Sequence, residues 1–245
     1  MYRTLSRRRL LRLAGLSGGA GLAAALTPPA AATPATSTTA ATETITEPWP
    51  AGPRDALALL LEGNRRWVSG CPRHPHQSIA RREAVAAGQS PFAVVFSCID
   101  SRVPPELVFD RGLGDLFVVR TGGQSVDDVV LGSIEFGPAE FDTGLIMVLG
   151  HTRCGAVAAT IEAVEDHAGR APGHIQAVVD ALRPAYEIAV RQPGDVVDNT
   201  VRAQTALTVA RLKADDQLAD RARAGALVVV GGRYDLDSGR VELVA

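Results

Sequence analysis

The chain is 245 residues long, 46% hydrophobic and 21% charged, with a formal charge of −2. That length supports one domain with a full core and does not comfortably hold two. Beyond its first 32 residues, which carry five arginines and no acid, the body has 27 acidic against 20 basic residues, a balance that gives no electrostatic basis for nucleic-acid binding.

In chain order, residues 1–32 read as an address. Ser6-Arg7-Arg8-Arg9-Leu10-Leu11-Arg12 resembles the twin-arginine export signal, followed by a weakly apolar stretch over 13–26 and a small-residue cleavage pattern at Ala30-Ala31-Ala32. The apolar part is too short to span a bilayer. Cleavage is therefore expected, with no stable membrane span left and the mature protein secreted, periplasmic or on the cell-wall side. Residues 33–50, mostly Thr, Ala and Pro, read as a disordered linker, and 51–245 as the folded domain.

Leu57, Leu60, Leu61, Asn64 and Trp67 recur at helical spacing and predict an amphipathic helix over 55–68. A loop bearing Cys71, His74 and His76 follows, where a solvated HxH pair is expected, and then a short helix over 79–87. Four short apolar runs, 92–96, 116–119, 145–149 and 226–230, are Val-rich and do not alternate, as parallel strands covered on both faces do not. Helical patterns separate them: 126–136, 156–164, one around Ile175 to Leu182 and one around Val201 to Leu212. Residues 241–244 fit an edge strand after the turn Asp237-Ser238-Gly239. The alternation predicts an α/β domain: about four parallel strands plus an antiparallel edge strand, flanked by helices.

In such sheets ligands gather beyond the carboxyl ends of the strands. Cys98 and Asp100 follow the first run, Arg120 and Thr121 the second, His151 and Cys154 the third. Three cysteines are too few for a disulfide framework. Export of a folded protein would instead let a thiolate site be loaded with metal in the reducing cytosol. Two thiolates and an imidazole suit Zn²⁺, and Cys154 at a helix N-terminus gains from the helix dipole. Asp100 can reach the same ion as a fourth ligand, which closes the site. Alternatively it turns to Arg102 and leaves the fourth position to water, which makes the site catalytic.

Cys98-Ile99-Asp100-Ser101-Arg102 and His151-Thr152-Arg153-Cys154-Gly155 resemble the CxDSR and HxxCG signatures of the β-class carbonic anhydrases. The resemblance extends through Leu61-Glu62-Gly63-Asn64-Arg65-Arg66-Trp67, Phe117-Val118-Val119-Arg120, Ser133-Ile134-Glu135-Phe136 and the stretch from Gly225 to Asp235, covering roughly 55–245. It implies one Zn²⁺ per subunit on Cys98, His151 and Cys154, and reversible hydration of carbon dioxide to bicarbonate. It also implies an Asp100–Arg102 dyad that orients, or is displaced by, the water on the zinc. Gln89, Phe117, Phe136 and Gly155 are the implied substrate contacts, and the implied assembly is a homodimer or higher homo-oligomer with the site near the interface. Helix 126–136 and the N-terminal helix are candidate dimer surfaces. Two departures concern rate and substrate positioning: Phe136 stands where a tyrosine is usual, and Arg120-Thr121-Gly122-Gly123-Gln124 alters the usual RNxGN-like stretch.

Three other functions remain open on these residues: hydrolysis of CS₂ or COS on the same site, non-catalytic zinc binding with Asp100 as a fixed ligand, and thiol redox chemistry. The last lacks CxxC spacing. Cys71, His167 and His174 are read as surface residues.

Overall fold

The computed structural model describes residues 49–165 and 170–245. The export segment, its cleavage site, the linker up to residue 48 and His167 lie outside the described residues. No helix among the described residues is long and apolar enough to cross a membrane.

Five strands, β1 (Ala93–Cys98), β2 (Leu116–Thr121), β3 (Leu145–His151), β4 (Val228–Tyr234) and β5 (Val241–Leu243), form one sheet in the order β2-β1-β3-β4-β5. The first four are parallel, and β5 runs antiparallel to β4. The expected class is therefore the observed one. Three of the strands reach two residues beyond the apolar runs that announce them, so Cys98, Thr121 and His151 are themselves terminal strand residues. β4 instead begins at Val228, after the start of its run.

One expectation is corrected. β1 and β3 are buried throughout, but every residue of β2 is only partly buried. Among the described residues β2 lies at the edge of the sheet, with a ladder neighbour on one side alone.

The helices are α1 (Pro53–Val68), α2 (Ile79–Ala84), α3 (Pro105–Val108), α4 (Asp128–Phe141), α5 (Gly155–Glu165), α6 (Ile175–Ala189), α7 (Val196–Ala214) and α8 (Asp216–Arg223). Their ends follow local chemistry. Pro53 opens α1, while the side chains of Asp127, Asp195 and Asp215 accept backbone N–H groups at the starts of α4, α7 and α8. Each such cap stabilises by about 1 kcal/mol.

Strand alternation sorts the core onto two faces. Ala93, Val95, Leu145, Met147 and Leu149 pack with Ala56, Leu60 and Phe109 from α1 and the end of α3. Val94, Phe96, Ile146 and Val148 pack with Ile134 of α4, Val209 and Leu212 of α7 and Leu218 of α8. Each large side chain buried this way contributes about 1.5–3 kcal/mol. A third cluster, with Val157, Ile161, Leu182, Tyr186 and Val201, lies around Cys98 and Cys154.

Candidate metal centre

β1 and β3 are adjacent and parallel, in a register that pairs Ser97 with Leu149. Cys98 thus ends one strand beside the end of the next, where His151 lies. The chain then makes a three-residue bend and returns Cys154 immediately ahead of α5. Donor atoms of Cys98, His151 and Cys154 all lie within 4.8 Å of one another, and all three residues are buried.

This donor set fits a tetrahedral zinc ion on two observations. The two sulfurs are 3.8 Å apart, and two ligands at the usual Zn–S length of about 2.3 Å subtend about 3.8 Å across a tetrahedron. The imidazole is prepared as well: Nδ1 lies 3.0 Å from the Thr152 carbonyl, to which it donates. That leaves Nε2 with its lone pair, buried and without a hydrogen-bond partner in the described residues. An orphaned buried polar atom ordinarily costs about 1–3 kcal/mol, and a metal ion removes that penalty here.

The electrostatics point the same way. The Cys98 thiol is pushed down, first by the hydrogen bond from Cys154 and further by the Gly123 N–H, which donates to Cys98 Sγ at 3.4 Å. Cys154 is pushed up by the neighbouring Cys98 sulfur and by burial. Cation binding needs both sulfurs as thiolates, so it would release protons from this pair.

Asp100 lies two residues beyond β1 and makes a two-pronged contact with Arg102. Nε donates to Oδ1 at 2.9 Å and Nη2 to Oδ2 at 2.7 Å, with the Arg102 N–H on Oδ1 at 3.0 Å. The guanidinium holds the Asp100 carboxyl down at about 2. Arg120 supports the turn from beneath, donating from Nε to the Cys98 carbonyl at 2.8 Å and from Nη2 to the Asp100 carbonyl at 2.6 Å. Arg102 Nη2 also donates to the Arg153 carbonyl at 3.3 Å.

Some residues that the resemblance implies at this site stand elsewhere in the single chain. Gly155 does follow Cys154, and the space where its Cβ would be is open. Phe117 pairs with Val94, four residues before Cys98, so it sits on the order of 13 Å back along the strand. There it packs edge-on with Phe136 and Phe141, at ring separations of 6.3 and 5.2 Å. Gln89 precedes β1 at the other end of the sheet, exposed, in a cavity of about 300 Å³ that Trp49 and Arg81 also line. Cys71 is exposed, as expected. The HxH loop is less solvated than expected: His76 Nδ1 lies 2.6 Å from the buried carboxylate of Asp115.

Sequence places Arg120 at the strand end beside the site without its role, and gives no sign of the supporting roles of Gly123 and Arg153. For Gly123 the glycine pair after β2 is the one local signal. Gly123 takes a left-handed φ of 59° and its Cβ would meet Leu182 at 2.7 Å, so only glycine presents its N–H to Cys98 here.

A family model described as carbonic anhydrase matches residues 93–241. Carbonic anhydrase 2 of Mycobacterium tuberculosis is 45% identical over 193 residues, 78% of this chain and 92% of that protein. Among solved structures, the β-carbonic anhydrase of Coccomyxa, in complex with acetazolamide, is 26% identical with a TM-score of 0.60, covering 77% of this chain and 86% of that one. The tetrameric β-carbonic anhydrases of Sordaria macrospora share the fold at a TM-score of 0.62 and 20% identity, covering 78% and 98%. With two thiolates and a freed imidazole converging where β1 and β3 end, this chain belongs to the β-class carbonic anhydrases, zinc-dependent enzymes.

Proposed function

We propose that the chain interconverts carbon dioxide and bicarbonate at Cys98, His151 and Cys154, with Asp100 serving the reacting water and Arg102 holding Asp100 in that service. Zinc, when bound, supplies Lewis acidity that brings water towards ionisation near neutral pH. The rest is done by the chain. Asp100, ionised beside Arg102, can only accept a hydrogen bond, so it orients a water O–H. Arg120 fixes the backbone on which both ride.

The observation that carries this reading is the double contact of Arg102 on Asp100. An aspartate meant as a permanent fourth ligand has no use for a guanidinium on both oxygens. The test is stopped-flow hydration of CO₂ by the zinc-loaded protein. Turnover well above the uncatalysed rate is expected. A fully metallated protein without it, or one that turns over CS₂ or COS instead, overturns the assignment.

We further propose a homo-oligomer joined along the β2 and α4 side. Support comes from the half-buried edge strand and from Val129 and Phe136 on α4, 78% and 51% exposed. The Sordaria relatives are described as tetrameric. Gln89, Phe117 and Phe136 stand away from the sulfurs of their own chain, so their substrate contact is assigned to the site of a neighbouring copy. Phe136→Glu is expected to dissociate the assembly in analytical ultracentrifugation, and an unchanged mass would contradict this surface.

Export through the twin-arginine-like segment at residues 1–32 is proposed as well. N-terminal sequencing of protein from the extracytoplasmic fraction tests it, with a start near Thr33 expected and an intact Met1 contradicting.

A further inference from the structure

The bend between His151 and Cys154 is held from outside by the turn that joins β4 to β5. Thr152 donates its N–H to the Tyr234 carbonyl at 2.9 Å, and its hydroxyl accepts the Leu236 N–H at 2.9 Å. Arg153 makes a two-pronged contact with Asp237, Nη1 to Oδ2 at 2.7 Å and Nη2 to Oδ1 at 2.8 Å. The turn is itself closed by hydrogen bonds. Asp235 Oδ1 accepts the N–H groups of Asp237 and Ser238 and the Ser238 hydroxyl. Asn64 of α1 holds its far side, donating to the Gly239 carbonyl at 2.8 Å and accepting the Val241 N–H at 2.8 Å.

Arg153 sits at φ = 52°, a left-handed conformation that a residue with a Cβ avoids unless its surroundings impose it. In that conformation its carbonyl receives Arg102 Nη2. The Arg102 guanidinium thus has two anchors, the Asp100 carboxylate and the Arg153 carbonyl, and the second depends on a strained residue that Asp237 grips.

From this chain of contacts we infer that Asp237 and Arg153 are positioning residues: their ion pair holds the Arg153 carbonyl where it seats Arg102, and so sets how firmly Arg102 keeps Asp100. This rests on the proposed role of the Asp100–Arg102 dyad. The Arg153 and Asp237 side chains are 55% and 74% exposed, and exposed pairs contribute little to global stability. The effect of the pair is on the geometry beside the metal centre and not on the fold.

The test compares zinc-loaded wild type with Asp237→Ala, Arg153→Ala, Arg153→Gly and Arg102→Ala. The readouts are zinc content, Tm, kcat and KM for CO₂ hydration, and the visible bands of the cobalt-substituted proteins at one fixed pH. Asp237→Ala and Arg153→Ala are expected to keep full zinc and a Tm within about 2 °C of wild type. Both should lose about threefold to tenfold in kcat at unchanged KM, a loss matching one weakened contact. Their cobalt bands should move the way those of Arg102→Ala move. Arg153→Gly should recover to within about twofold of wild type, because glycine adopts the left-handed conformation without a grip on its side chain. If Asp237→Ala folds poorly, Asp237→Asn, which keeps the shape and drops the charge, reads the same effect.

Wild-type kcat and bands in both Asp237→Ala and Arg153→Ala overturn the inference while leaving the dyad intact if Arg102→Ala is impaired. Arg153→Gly as impaired as Arg153→Ala overturns it too. An unimpaired Arg102→Ala removes the dyad reading, and this inference with it.

Discussion

Asp100 Oδ2 stands 3.9 Å from His151 Nε2, yet both Asp100 oxygens are engaged by Arg102. The carboxylate is thus within reach of the metal donors and restrained from joining them by one neighbouring side chain. Arg102→Ala is expected to keep one zinc per chain and to lower CO₂ hydration by about 10- to 100-fold or more, the usual consequence of removing a partner of a metal-site residue. Metal analysis beside stopped-flow kinetics checks both halves. Near-wild-type turnover in the metallated variant would show that the dyad is dispensable.

Removing a sulfur should act differently. Cys98→Ser is expected to lose metal and activity together, since its thiolate is one of three donors within 4.8 Å. Stripping zinc from the wild type with a chelator should also lower Tm. At free zinc about 1,000 times Kd the ion stabilises by about 4 kcal/mol, on the order of 10 °C for a domain this size. A metallated, active Cys98→Ser protein contradicts the ligand assignment, as does a Tm indifferent to chelation.

Gly63 sets two effects against each other. Alanine inside α1 gains about 1 kcal/mol of helix propensity. A Cβ at Gly63, however, would meet the Phe109 carbonyl oxygen at 1.8 Å and its carbon at 2.7 Å. Phe109 is fully buried, so its backbone cannot step aside cheaply. Overpacking wins, and Gly63→Ala is expected to destabilise by about 1–2 kcal/mol net. The urea midpoint reads this directly, and an unchanged or raised midpoint would refute it.

Asp110 carries an acid-sensitive contribution to stability. It is 2% exposed, and accepts Arg66 Nε at 2.6 Å and the N–H groups of Arg73 and His74 at 2.9 Å each. Burial alone would raise its carboxyl, but these donors outweigh burial and hold it below the ordinary value. A carboxyl held below its unfolded value of about 3.9 stabilises fully above that pH, and the contribution fades as pH falls through the folded value. Asp110→Asn should therefore cost about 3 kcal/mol at neutral pH, with the gap to wild type narrowing below about pH 4. Denaturation curves at several acid pH values would show it; a gap that stays constant with pH would refute it.

The parts of this protein that sequence makes legible are those whose physics is local. Short unalternating Val-rich runs bounded by turn residues favour parallel strands, and the four runs become β1 to β4, although β2 is only partly covered. The metal donors are legible for the same reason: Cys98 and His151 sit where apolar runs stop, and parallel strands bring such ends together. The four-residue α3 is too short, and the polar α8, whose one buried residue is Leu218, offers too few apolar residues, to be announced.

What only the tertiary structure decided is every relation between residues far apart in the chain. The order of strands exposes β2 at the edge, and no run of apolar residues encodes its neighbours. Arg120 reaches the carbonyls of Cys98 and Asp100 across a ladder. Arg153 reaches Asp237 across 84 positions. Phe117 and Phe136, adjacent to the donors by resemblance, stand well back from them in space. The donor types and their strand-end positions follow from the amino acids themselves. How the carboxylate beside them is restrained depends on contacts that exist only once the chain has closed on itself.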